Sequence, residues 1–124
     1  MYKIKVEEEA IFIHSRTMQR LNVKECREIN CGDLEEMERV AEEYDIEVSV
    51  DSNSPDYEKK LVEAIRDKLK ISSLERMNKM VETIKDVYLK DMYGIIEFGG
   101  YLLNLNEFCG VKIQRIAVDI KERV

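Results

Sequence analysis

The stretch DLEEMERVAEEYD, residues 33–45, places seven carboxylates in thirteen positions, with Arg39 as its only base. At about 100° per residue, Glu35, Glu38, Glu42 and Asp45 fall within roughly 80° of one another on a helix. No base interrupts that ridge, and Glu47 and Asp51 extend it along the chain. Arg39 lies beside it, spaced to pair with Glu35 and Glu43 at i±4. Convergent carboxylates of this kind suit a basic partner. They do not suit a hard divalent cation, which takes oxygens converging from a loop or cleft rather than from a convex helix. The competing account is a solvated face whose repulsion is relieved by the basic segment 16–27.

Other chemistry is sparse. Cys26 and Cys31 are five apart, which is not zinc-finger spacing, and Cys109 and His14 are the only other soft ligands. A Cys109–His14 nucleophile pair is conceivable, with Cys109 expected in a turn. The thiols read more simply as small hydrophobes. Gly99–Gly100 sits between strand-like runs and lacks phosphate-loop spacing. With one His, no Ser-His-Asp grammar, no metal motif and no cofactor fingerprint, no catalytic residue, metal or cofactor is assigned.

These residues must be held by elements. Tyr2, Ile4 and Val6 alternate with lysines and predict a strand; EEE at 7–9 interrupts it, and AIFI at 10–13 reads as a second short strand. Residues 15–31 are hard to read: TMQRLNV suits a helical turn and ECREINC a strand. Asp33 is a fitting N-cap for a helix over 33–44 with Leu34, Met37, Val40, Ala41 and Tyr44 inward. Ile46, Val48 and Val50 alternate with polar residues as in a half-wet strand. Ser54–Pro55 opens a helix over 55–70 with Tyr57, Leu61, Ala64, Ile65 and Leu69 inward. SSLE at 72–75 reads as a capping box starting a third helix, 73–92, with Leu74, Met77, Met80, Val81, Ile84, Val87 and Tyr88 inward and Gly94 as its stop. GIIEF and YLLNL flank a Gly99–Gly100 hairpin turn. A last strand follows after EFCG, with a bulge at Gln114–Arg115 where the apolar parity switches. The expected fold is α+β: a mostly antiparallel sheet, made of a C-terminal three-stranded meander plus N-terminal strands, packed with three helices in a single domain over 1–124.

Composition bounds the function. The 124 residues are 44% hydrophobic and 37% charged, with a net charge of −6. That is a globular composition, and no apolar run is long enough to span a bilayer. The start, MYKIKVEEEA, is acidic where a secretory signal is basic and then apolar. Three cysteines cannot all pair within one chain, which suits a reducing compartment. The expected location is cytoplasmic. Residues 28–58 carry twelve acids against Arg39, or −11, so the remaining chain is +5. Its bases concentrate in 16–27 and 59–92. Direct nucleic-acid binding is disfavoured by a pI of about 5.0.

The expected function is that of a small acidic, non-catalytic inhibitor-like binding protein. It would show residues 28–58 to a basic protein partner, such as a nucleic-acid-processing protein whose substrate it imitates. No family motif is present, and the likeness to acidic inhibitors is one of charge alone. The alternative is a homodimer in which the acidic segment of one copy meets residues 16–27 or 59–70 of the other.

Overall fold

The computed structural model describes residues 2–48, 50–90 and 94–122. The chain is α+β with antiparallel sheets. Its elements run β1 (Tyr2–His14), β2 (Arg20–Cys31), α1 (Leu34–Glu43), α2 (Tyr57–Lys90), β3 (Ile95–Phe98), β4 (Tyr101–Asn104) and β5 (Phe108–Glu122), with a 3₁₀ turn at Leu105–Glu107. One sheet has three strands in the order β2-β1-β5; the other is the β3-β4 pair.

The residues sort into two compact units. The first comprises Met1–Val6, Arg27–Ser72 and Ala117–Val124, and the second comprises Glu7–Cys26 and Ser73–Ile116. Each has its own core. In the first, Tyr2, Ile4, Val6, Cys31, Met37, Leu61, Ile65, Leu69 and Val118 are buried together. In the second, Phe12 packs against Phe98 and Phe108, with ring centroids 6.0 and 5.5 Å away. Met77, Ile84, Leu103 and Leu105 surround them. Burying one such large side chain contributes about 1.5–3 kcal/mol.

EEE does not interrupt β1. The strand is continuous, and Tyr2, Ile4, Val6, Glu8, Ala10 and Phe12 are all buried. The period of two simply passes through Glu8. A buried carboxylate needs a charged partner, and Arg76 of α2 supplies one, hydrogen-bonding both Glu8 and Glu25 of β2. Burial alone would lower the Arg76 pKa. The hydrogen bond to Glu25 and the charges of Glu8 and Glu25 outweigh it and hold the guanidinium's pKa above its usual value. The neighbours Glu7 and Glu9 point the other way, to Lys24 (3.7 Å) and Asn22 (2.9 Å).

Residues 15–31 resolve into a turn and a strand. His14 N–H donates to Gln19 O (2.9 Å), with Met18 at φ 58°, and β2 begins at Arg20. TMQRLNV therefore forms no helical turn, because Leu21 and Val23 are needed on the sheet face; ECREINC is strand.

The expected second and third helices are one. α2 runs unbroken for 34 residues, so SSLE caps nothing. No Pro or Gly divides it, and its buried positions recur every four residues through Leu61, Ile65, Leu69, Ser73 and Met77. Each step overshoots a full turn by about 40°. The inward stripe thus drifts around the helix, which makes the two halves look like separate helices in sequence. Ser73 is buried where Leu74 was expected, and Leu74 is exposed. The helix starts at Tyr57, two residues after Pro55. The Tyr88 side chain and the expected end near Met92 lie outside the described residues.

The C-terminal meander does not form either. β3 and β4 make the expected hairpin around Gly99–Gly100, with Ile96 opposite Leu103 and Phe98 opposite Tyr101. The 3₁₀ turn then redirects the chain, and β5 joins β1 instead. Ser15 N–H donates to Glu107 O (2.8 Å) where β5 begins. Along β5 the inward residues switch from Val111 and Ile113 to Ile116, Val118 and Ile120, with Gln114 and Arg115 both exposed at the switch.

Candidate functional site

The acidic ridge is positioned by its helix. Asp33 is the N-cap of α1: its Oδ1 accepts the Glu36 N–H (2.9 Å), and Glu36 Oε2 accepts the Gly32 N–H (2.6 Å). Both contacts satisfy donors left open at this helix start. Met37, Val40 and Ala41 are buried, with Leu34 and Tyr44 packed beside them. That anchoring turns Glu35, Glu38 and Glu42 to solvent.

The helix ends in a Schellman motif. Asp45 N–H donates to Glu42 O (3.1 Å) and Ile46 N–H to Ala41 O (2.9 Å), with Asp45 itself left-handed at φ 52°. After this left-handed turn, the described residues of the expected strand over 46–50 are not strand. Residues 46–48 follow as irregular chain and Val50 lies in a bend, while Ser49 lies outside the described residues. Ile46 and Val48 still pack on the first core.

All six sequence-derived residues, Glu35, Glu38, Glu42, Asp45, Glu47 and Asp51, are exposed. Among the described residues none forms an ion pair, and neither does Arg39, so its expected pairing with Glu35 and Glu43 is absent. Long side chains at i±4 on an open face gain little from a fixed contact. Asp51 is partly engaged: its Oδ1 accepts the Asn53 N–H (3.1 Å) in the turn before α2.

Beside the ridge lies a hollow of about 310 Å³. Glu38 and Glu42 line it, with the apolar residues Ala41, Ile46, Val48, Val50 and Leu61, the aromatic residue Tyr57, and Ser52. Glu35, Asp45, Glu47 and Asp51 are not part of its lining. Burial and then the Glu38 charge push the Tyr57 phenol pKa up. The hollow was not foreseen, because its walls come from segments brought together only by the fold. Of its lining residues, Glu38 and Glu42 alone carried a functional reading in the sequence.

The soft ligands differ in exposure. Cys26 is exposed, Cys31 buried and Cys109 half-buried. Cys109 lies in β5, not in a turn, and its Sγ–H donates to Ile13 O (3.7 Å). His14 Nδ1 accepts the Arg16 N–H (3.3 Å), and its ring makes a T-shaped contact with Phe108, centroids 6.0 Å apart. Among the described residues no group of three or more His, Cys, Asp or Glu side chains could hold a metal ion. Burial, then Glu36 and Asp33, push the Cys31 thiol pKa up.

No protein-family model, curated protein or solved structure matches the chain. Among the described residues, no helix is long and apolar enough to cross a membrane.

Proposed function

We propose that the protein is a small acidic binding protein, without catalysis of its own, that occupies the basic surface of a protein partner. A nucleic-acid-processing protein is the kind of partner that presents such a surface. Glu35, Glu38, Glu42, Asp45 and Glu47 carry the contact, with Asp51 at its margin.

The supporting observation is that these carboxylates are exposed and, among the described residues, not neutralised by any ion pair. Their placement also costs the fold something. Glu38 and Glu42 repel at i,i+4, about 0.2–0.5 kcal/mol in an isolated helix. The last turn of α1 holds no base, so Glu42 and Glu43 face the negative end of the helix dipole. A helix selected for solubility alone could mix signs, as α2 does. Complementary fields would speed association and make it salt-sensitive.

The test is a pull-down from nuclease-treated lysate at low and moderate salt. It uses wild type and a Glu35/Glu38/Glu42→Lys variant with an unchanged melting transition. Recovery of a partner by wild type alone, weakening as salt rises, supports the reading. Equal recovery by both baits, or none by either, removes it.

A second reading is a homodimer in which the acidic segment of one copy meets residues 16–27 or 59–70 of the other; Ile95, Tyr101 and Leu102 of the β3–β4 hairpin, 53%, 52% and 78% exposed, are further apolar surface open to a second copy. Light scattering that shows only monomer across a wide concentration range removes it.

A further inference from the structure

We propose that the hollow beside α1 is a subsite for one arginine side chain of the basic partner, a proposal that rests on the acidic-surface reading above. At about 310 Å³ it exceeds the ~150 Å³ that houses a benzene ring in a dry protein cavity. It sits near the lower end, about 300 Å³, of ligand pockets. That is ample room for a single long side chain.

The chemistry of the walls selects the occupant. Ala41, Val48 and Leu61 offer apolar surface to a methylene stem. Glu38 and Glu42 offer carboxylates to a cationic head. The negative end of α1, which has no base in its last turn, adds to the field. Tyr57 supplies an aromatic ring. A planar guanidinium can stack on that ring and fork onto carboxylates, whereas a lysine ammonium can do neither as well. A neutral or anionic side chain would meet two carboxylates without compensation. Charge complementarity therefore commits the hollow to a cation, and the ring commits it to arginine.

The experiment is an NMR titration of the 124-residue chain labelled at methyl groups and tyrosine rings. The probes are three capped pentapeptides, identical except for a central arginine, citrulline or lysine. The arginine peptide should shift Ala41, Val48, Leu61 and Tyr57 resonances saturably, and citrulline should bind about tenfold more weakly. Ser52→Phe fills the hollow without changing charge and should cost about tenfold in affinity. Tyr57→Leu should weaken arginine more than lysine, and it serves where Ser52→Phe does not fold. Equal binding of citrulline or of lysine, shifts that map outside the hollow, or no saturable shift overturns the subsite. The broader reading fails differently. A partner still captured by the Glu35/Glu38/Glu42→Lys variant defeats it, whereas a partner lost to that variant but indifferent to Ser52→Phe defeats only the arginine subsite.

Discussion

Glu8 and Cys31 show what single residues contribute here. Glu7, Glu8 and Glu9 are chemically identical, yet only Glu8 is buried, because it keeps the even parity of β1. The acidic run hides that parity, so the sequence reads as a break at 7–9, and the partner Arg76, 68 positions away, leaves no local signal. Arg76→Leu should leave the Glu8 charge buried without its guanidinium. The expected loss is about 2–3 kcal/mol, below the 3–5 of a fully buried pair because Arg76 is half-exposed. Urea denaturation measures it, and Glu8→Gln on the Arg76→Leu background should recover part of the loss. A loss under about 1 kcal/mol would show that Arg76 does not hold this charge. Cys31 has a different signature. Its thiol pKa is raised above the ordinary 9.0, so the folded state holds the proton more tightly than the unfolded chain. Its contribution is full below the unfolded pKa and is lost as pH rises through the folded one. Stability should therefore fall at alkaline pH, less steeply in Cys31→Val. Thiol alkylation at neutral pH should label exposed Cys26 well before Cys31. Equal labelling rates would contradict the burial.

At the scale of elements, α1 was legible because its signals are local: Asp33 caps it and its apolar residues keep one stripe. α2 was not, because SSLE matches a capping box wherever it occurs, while only packing decides whether a helix starts there. The consequence is testable. Ser73 Oγ is buried without a hydrogen-bond partner among the described residues. Ser73→Ala should therefore stabilise the protein by about 1 kcal/mol, from the removed hydroxyl and the better helix propensity. Ser72→Ala should be near neutral. A cost of about 1 kcal/mol at Ser72 would instead signal a true cap and a broken helix. The hairpin offers a sharper contrast. Gly99 and Gly100 both have positive φ, 59° and 83°. A Cβ at Gly99 would lie 2.5 Å from Val23 Cγ1 and 2.7 Å from Lys24 O, whereas one at Gly100 meets nothing within 4 Å. Gly100→Ala should cost about 1 kcal/mol of backbone strain. Gly99→Ala adds a clash with β2 worth a further 1–3 kcal/mol, roughly. Equal melting temperatures for the two variants would contradict this turn geometry.

For the whole molecule, strand pairing and charge follow different rules. The sequence marks a last strand only after EFCG, although β5 already begins at Phe108, and it does not show that β5 pairs with β1, some hundred residues earlier, because nothing local encodes a long-range partner. Charge, by contrast, was readable without the fold: the −11 of residues 28–58 is a matter of counting, and the structure adds that its six marked carboxylates are exposed. Unneutralised like charge should give stability and binding opposite salt dependences. Between about 0.01 M and about 1 M sodium chloride the screening length falls from about 30 Å to about 3 Å. Repulsion within the acidic segment is then muted, and the folded state should gain about 1 kcal/mol, or roughly 4 °C in melting temperature. Attraction to a basic partner is muted equally, so affinity should fall over the same range. The Glu35/Glu38/Glu42→Lys variant, whose ridge has mixed signs, should show a flatter melting response. Exposed pairs such as Lys3–Glu28 act in the opposite sense, but each is worth little. A wild-type melting temperature that falls with salt would mean that ion pairs outweigh the ridge's repulsion. The acidic face would then carry no strain for a partner to relieve.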